Sequence, residues 1–221
     1  IVYAVDLGSH SLKAIAFSRS FGRTRIRGLR VVKLREGFDY TGESGKRKEI
    51  LREAFLELFE MGEAMGKLRI ALPSSSAFIR LTKLPLIRGK VHPKSVDYEV
   101  REKIPCSPEE LVWDYLRLHE KDAHSGSLVL VAAKKEAVTE ILEVTREIGL
   151  EVEGITAGPC AFYQAFRKRI EEDETLLLLD LGAHTLDLAV LKRNGFWPRT
   201  ITQGSARIFE ALEKETGTPA Q

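Results

Sequence analysis

Two short stretches of this chain repeat one arrangement of residues that could bind phosphate. Residues 5–13 read VDLGSHSLK, and residues 179–187 read LDLGAHTLD. Each stretch has an Asp, a Gly two places on, then a small residue, a His and a hydroxyl residue. Because glycine has no Cβ, it lets a turn approach an anion closely, and nearby backbone N–H groups can donate hydrogen bonds to phosphate oxygens. The repeat therefore predicts two phosphate-binding turns.

The side chains of both stretches suit the phosphates of a nucleotide and its magnesium ion. Asp6 can bind Mg²⁺, usually through water, because Mg²⁺ gives up its hydration shell reluctantly. Gly8 allows the close turn, while the hydroxyls of Ser9 and Ser11 can donate to phosphate oxygens. Lys13 brings a positive charge that can reach a phosphate. The second stretch offers the corresponding residues Asp180, Gly182, Ala183, His184 and Thr185. Two such turns that face each other would hold a nucleotide's phosphates from both sides.

Apolar strands must position the first turn. Strands are predicted over 1–6, 12–17 and 24–34, followed by a polar loop, a helix over 46–65 and a strand that ends at Pro73. The helix prediction rests on apolar residues at helical spacing, including Met61. Three strands, a helix and a further strand indicate an α/β layered lobe.

A segment of different character follows, over residues 74–149. It contains three predicted strands, a short helix over 95–104 and an amphipathic helix over 136–148. We interpret it as a small α+β subdomain inserted into the first lobe. The α/β pattern then resumes, so the predicted division is 1–73 with 150–173 for the first lobe, 74–149 for the insert and 174–221 for the start of a second lobe.

Composition excludes several classes of function. The net charge is +2 and no apolar run approaches the roughly 20 residues of a membrane span, so neither a general affinity for polyanions nor a direct span is expected. Cys106 and Cys160 are read as buried reduced thiols, and the histidine spacing does not suit zinc. The basic residues over 19–35 are read as a solvated sheet face. A patch for nucleic acid or anionic lipid stays open as the alternative.

The paired turns in two related α/β units resemble the phosphate-1 and phosphate-2 hairpins of the actin-like ATPase superfamily. The position of the insert resembles that in the FtsA and PilM families. Three further stretches are similar to the type IV pilus assembly protein PilM family: YEVREKIPCSPEELVWDYLRL, LVLVAAKKEAVTEILEVTREIGLEVEGI and LLLLDLGAHTLDLAVLKRNGFWPRTITQGS. The resemblance implies an actin-like (ribonuclease H-like) α/β fold whose second lobe is incomplete.

The resemblance also implies which residues hold the ligand. It implies ATP or ADP with Mg²⁺, bound by residues of phosphate-1, of phosphate-2 and of the second lobe beyond it: Asp6, Gly8, Ser9, Ser11, Lys13, Asp180, Gly182, Ala183, Thr185 and Gly204. Asp6 and Asp180 are the expected metal-binding carboxylates.

The chain departs from the family's pattern in two places. The segment GITAGPCAF has Ala157 and Gly158 where an acidic or amide residue often precedes the helix to phosphate-2, and such a group could orient a water. Gln164 lies deeper in that helix and is expected to point elsewhere, so we expect at most a slow ATPase with no assigned catalytic residue. The Gly-Gly adenosine turn is also missing, because the chain stops before it.

The function that this resemblance implies is a cytoplasmic protein at the inner membrane, within the type IV pilus or a related secretion machinery. It would bind the cytoplasmic tail of a PilN-like partner in a groove between the insert and the first lobe, with ATP-dependent domain closure and self-association. The alternatives are an FtsA-like polymerising ATPase, the cytoplasmic part of a GspL-type secretion protein, and a sugar or acid kinase.

Overall fold

Three β-sheets carry five α-helices in the described part of the chain. The computed structural model describes residues 1–35, 38, 40, 44–59, 66–118 and 124–218. The elements in chain order are β1 (Val2–Leu7), β2 (Ser11–Ser20), β3 (Arg23–Lys33), α1 (Ser44–Leu58), β4 (Lys67–Leu72), β5 (Ala77–Ile87), β6 (Lys90–Val91), α2 (Pro93–Lys103), β7 (Leu111–Arg117), β8 (Ser125–Lys134), α3 (Lys135–Glu147), β9 (Glu151–Ala157), α4 (Gly158–Phe166), β10 (Leu176–Leu181), β11 (Leu186–Lys192), β12 (Gly195–Ile201) and α5 (Ser205–Thr216).

The sheet of the first lobe has the order β3-β2-β1-β4-β9. β1 pairs antiparallel with β2 and parallel with β4. Because side chains alternate along a strand, the buried Val5 and Leu7 on one face leave Asp6 on the other. The same register pairs Asp6 with Lys13, so both charges stand on one face at the end of the β1–β2 hairpin.

Helices α1 and α3 cover the apolar face of this sheet. Phe55 and Leu58 of α1 share one buried cluster with Ile141 and Val144 of α3 and with the strand residues. A buried ion pair joins the two helices: Arg47 donates through Nε and Nη2 to the two carboxylate oxygens of Glu140, at 2.6 and 2.8 Å. The helix pair therefore fixes the sheet that carries the first turn.

The insert has its own sheet, in the order β6-β5-β8-β7. Helix α2 packs Val96 and Val100 on one face, against Leu128 and Leu130 of β8. The other face joins a cluster with α4 and the second-lobe sheet, whose order is β10-β11-β12. Tyr163 and Phe196 stack within that cluster, with ring centroids 5.1 Å apart. Helix α4 therefore connects all three sheets.

Two details of the predicted elements were wrong. The first helix begins at Ser44, inside the stretch predicted as a loop, and its predicted end, with Met61, lies outside the described residues. Strand β2 is longer than predicted and runs to Ser20, whereas β3 has the predicted length and begins one residue earlier, at Arg23. Among the described helices, none is long and apolar enough to cross a membrane.

The division into lobes stays a prediction, but α3 gives a reason to move one boundary. The sequence assigns this helix to the insert, whereas its buried residues belong to the first-lobe core. We propose that the insert ends near residue 134, where β8 passes into α3. A helix face cannot be assigned to one of two neighbouring cores from its periodicity alone.

Replacing Glu140 with Ala is expected to lower the free energy of unfolding by about 3–5 kcal/mol. The substitution leaves the buried guanidinium of Arg47 without its bidentate partner. Urea unfolding followed by circular dichroism measures the change. The control is Glu143→Ala, a substitution on the same helix as Glu140. It removes an exposed ion pair with Lys48 of α1 and should change stability little. Equal losses from both substitutions would contradict this view of the α1–α3 contact.

Candidate phosphate-binding cleft

The first turn is closed by a backbone hydrogen bond that requires glycine. The Gly8 N–H donates to the Ser11 carbonyl at 3.1 Å, and a Cβ at Gly8 would lie 2.6 Å from that oxygen. The Tyr40 hydroxyl donates to the Gly8 carbonyl at 3.3 Å. Burial, and next the nearby Asp6 carboxylate, raises the pKa of Tyr40, so it remains a protonated donor. The turn is thus held in one shape from both sides.

The second turn repeats this closure. The Gly182 N–H donates to the Thr185 carbonyl at 2.8 Å, and a Cβ at Gly182 would lie 3.1 Å from the same oxygen. The two stretches therefore repeat in backbone geometry as well as in residue type.

Helix α5 supports the second turn from behind. The N–H groups of Ser205 and Ala206 donate to the carbonyls of Gly182 and Ala183, at 2.9 and 3.0 Å. A Cβ at Gly204 would lie 2.4 Å from the Ala183 carbonyl oxygen, so only glycine fits where the helix begins. Carbonyls that point towards α5 leave the opposite edge of the turn free to face the cleft.

Both turns line one cleft of about 270 Å³ between the lobes. Of the ten residues expected to bind the ligand, Gly204 lies behind the second turn. The other nine line the cleft: Asp6, Gly8, Ser9, Ser11, Lys13, Asp180, Gly182, Ala183 and Thr185. The tips of the turns touch, because His184 Nδ1 lies 3.0 Å from Ser9 Oγ. The structure thus brings together residues about 175 positions apart, while their role in binding stays a prediction.

Carboxylates crowd one side of this cleft. Partial burial, then the neighbouring carboxylates of Asp6 and Asp187, raise the pKa of Asp180, and the Lys13 ammonium opposes the shift. Lys13 Nζ lies 3.5 Å from Asp6 Oδ2. The negative charges that raise the pKa of Asp180 also favour a bound cation, which would relieve the repulsion.

The donor set fits Mg²⁺ more closely than a transition metal. Among the described residues, no group of three or more His, Cys, Asp or Glu side chains could hold a metal ion. Mg²⁺ commonly uses one or two carboxylates and completes its shell with waters and phosphate oxygens. Asp6 and Asp180, which face a cleft lined by phosphate donors, match that pattern.

Asp187 is a cleft residue that the sequence reasoning missed. Its side chain is buried, with 8% exposed, and it accepts hydrogen bonds from Ser74 Oγ at 2.7 Å and Thr200 Oγ1 at 2.6 Å. Ser74 follows the first-lobe strand β4, so this bond ties the two lobes. The available signal was a break in the repeat, since Asp187 stands where the first stretch has Lys13.

No lining residue of the described cleft is a Glu or Gln that could orient a water for hydrolysis. Gln164 is exposed and lines a separate groove beside the insert. A catalytic residue therefore remains unassigned.

The sequence matches the model of a known protein family, and the structure matches solved structures. The family model of the type IV pilus assembly protein PilM matches residues 4–217. A chain of the PilM–PilN type IV pilus biogenesis complex superposes with a TM-score of 0.77 at 22% identity, over 98% of this chain and 66% of that one. This chain therefore spans just under two thirds of that relative's length.

Two further structures share the fold at lower similarity. The cytoplasmic domain of EpsL, an inner membrane component of the type II secretion system of Vibrio cholerae, matches with a TM-score of 0.52 and 12% identity, over 90% of this chain and 70% of that one. A Bacteroides thetaiotaomicron protein with an actin-like ATPase fold matches with a TM-score of 0.55 and 12% identity, over 98% of this chain and 77% of that one. No protein of curated function matches the sequence closely. The predicted actin-like α/β fold is confirmed.

Replacing Asp180 with Asn is expected to raise the melting temperature of the ligand-free chain near pH 7. Folding raises the pKa of the Asp180 carboxyl, so ionisation is less favourable in the folded state than in the unfolded state. The folded protein therefore loses stability as the pH rises above the ordinary pKa of an aspartate. The gain should disappear near pH 3, where the carboxyl is protonated in both states. Scanning fluorimetry across pH measures it, with Asp173→Asn, an exposed acid in a turn, as the control. A gain that is independent of pH would contradict the repulsion.

Proposed function

The chain belongs to the family of the type IV pilus assembly protein PilM, and from that premise we propose that it is a nucleotide-dependent adaptor of the pilus machinery. The observation that carries the proposal is the convergence of two glycine turns from two lobes on one cleft. ATP or ADP is the proposed ligand, with its phosphates between the turns.

The phosphates would be held chiefly by short hydrogen bonds from this chain. Ser9 and Ser11 on one side and Thr185 on the other present hydroxyls to the cleft, and Lys13 presents its ammonium. Bound Mg²⁺ would neutralise part of the phosphate charge, held on the protein side by Asp6 and Asp180. Backbone N–H groups of both turns would complete the donors, as in other anion-binding turns.

Nucleotide would act by changing the closure of the two lobes. Two contacts join the lobes at the cleft, between His184 and Ser9 and between Asp187 and Ser74. A phosphate group that enters between the turn tips competes for the Ser9 hydroxyl, so the position of the second lobe should depend on which nucleotide is bound. Hydrolysis is proposed to be slow or absent, and closure to bias self-association.

A second opening provides the proposed partner site. An apolar groove of about 360 Å³ runs between the insert and the first lobe, and the edge strands β7 and β9 border it. Val112, Leu116, Val138 and Cys160 line it. Burial raises the pKa of the Cys160 thiol to about 12, so the thiol stays neutral. Edge strands beside an apolar groove suit an extended peptide, which can add backbone hydrogen bonds to a sheet.

The proposed occupant of this groove is the cytoplasmic tail of an inner-membrane partner of the PilN type. The support is that a related chain is found in a PilM–PilN complex. Such binding would place the protein in the cytoplasm at the inner membrane through its partner.

Replacing Lys13 with Ala, or Thr185 with Ala, is expected to weaken Mg²⁺–ATP binding about ten-fold or more in each case. The expectation follows because hydrogen bonds to charged groups contribute about 1.5–3 kcal/mol. Isothermal titration calorimetry measures the affinity, with Lys90→Ala on the insert as a matched control. If either cleft variant binds like the parent chain, the phosphates are not held by both turns.

Replacing Val112 with Glu is expected to weaken binding of a partner tail peptide at least ten-fold, because the new carboxylate would enter an apolar groove without a partner. Fluorescence anisotropy with a labelled tail peptide measures the affinity. Tyr98→Ala, which removes an exposed aromatic ring on the insert helix α2, is the control. A peptide that binds parent and Val112→Glu chains equally would move the partner site elsewhere.

A further inference from the structure

The β2–β3 hairpin ends in an aromatic residue that its backbone does not favour. Phe21 is fully exposed, and its φ of 48° lies in the left-handed region, next to Gly22 at 75°. A turn with two positive φ angles is typical of Asn-Gly, and a bulky residue there is strained. Neither packing nor turn geometry accounts for a phenyl ring at this position.

The tip projects beyond the rest of its sheet. β1 begins at Val2, which pairs with Phe17, whereas the hairpin continues through three further pairs to Ser20 and Arg23. At about 3.3 Å per residue, the tip stands roughly 10 Å past the start of β1. It also lies at the end of the sheet opposite the cleft, because the cleft begins where β1 ends. The tip is therefore a convex projection.

Positive charge is concentrated on this hairpin. The hairpin, residues 11–33, contains seven basic residues and no acidic one: Lys13, Arg19, Arg23, Arg25, Arg27, Arg30 and Lys33. The whole chain has 34 basic and 32 acidic residues, so without these seven the remainder is acidic by five charges. A nearly neutral protein thus carries one strongly basic region, which is expected to orient it towards an anionic surface.

The arginines nearest the tip are available for such a surface. In the described residues, Arg19, Arg23 and Arg25 are exposed and have no hydrogen bond or ion pair within the chain. The strand register places Arg23 and Arg25 on one face, and Ile26, which is exposed, beside Phe17 on the other. The tip thus combines free guanidinium groups with two exposed apolar side chains.

We propose that this hairpin tip docks on the anionic headgroup surface of a lipid bilayer. Phe21 enters the headgroup layer, where aromatic rings are favoured, and Arg19, Arg23 and Arg25 contact the lipid phosphates. A convex tip suits a deformable surface, and the exposed Phe21 and Ile26 would gain little from the backbone phosphates of a nucleic acid. The hairpin binds the membrane by itself and adds a second contact to that of a membrane-bound partner.

Vesicle co-sedimentation of the full chain tests this proposal without nucleotide or partner. The chain should sediment with vesicles containing phosphatidylglycerol and not with pure phosphatidylcholine, and high salt should release it. R23E/R25E should reduce partitioning by at least about 25-fold, since each basic residue near an anionic surface contributes about five-fold and the new carboxylates are repelled. K90E/K94E makes the same charge change on the insert and should stay within about two-fold of the parent.

Phe21→Asn separates insertion from electrostatic attraction and from misfolding. Asn tolerates the left-handed conformation, so the melting temperature should stay the same or rise while vesicle partitioning falls several-fold. Partitioning unchanged by Phe21→Asn would overturn insertion of the ring. Three outcomes would overturn the membrane site. They are no binding to anionic vesicles, equal losses of vesicle partitioning from both charge variants, and binding to duplex DNA instead of vesicles. Groove binding of a partner peptide should be unaffected, so failure here is distinguishable from failure of the proposed function.

Discussion

One backbone hydrogen bond, made twice, shapes the cleft. In each turn a glycine N–H donates to the carbonyl of the hydroxyl residue three positions later. A Cβ would clash with that carbonyl oxygen at Gly8 and would crowd it at Gly182. This closure turns the intervening residues towards the other lobe and allows Ser9 and His184 to meet. Loss of either closure would release the side chains from the positions in which they line a common cleft.

The rest of the structure holds these turns in place against electrostatic repulsion. Helices α1 and α3 stiffen the first sheet through a buried core and the Arg47–Glu140 pair, and α5 fixes the second turn. Asp180 stands near two other carboxylates, which is unfavourable in the absence of a cation. A bound cation would relieve this repulsion.

Local patterns predicted much of this from the sequence, and long-range register accounts for what they missed. The repeated stretch at 5–13 and 179–187 predicted two related turns, and a series of stretches in order predicted the actin-like fold. Asp187 was missed because its burial depends on Ser74 and Thr200, which only folding brings near. The length of the projecting hairpin likewise depends on which elements pack beside it.

The most direct test of the central claim is a crystal structure of this chain with Mg²⁺ and a non-hydrolysable ATP analogue, with tripolyphosphate as a second ligand. The account predicts phosphate oxygens within hydrogen-bonding distance of both turns, with Mg²⁺ on the side of Asp6 and Asp180. Phosphates bound to one turn alone, or outside the cleft, would contradict it.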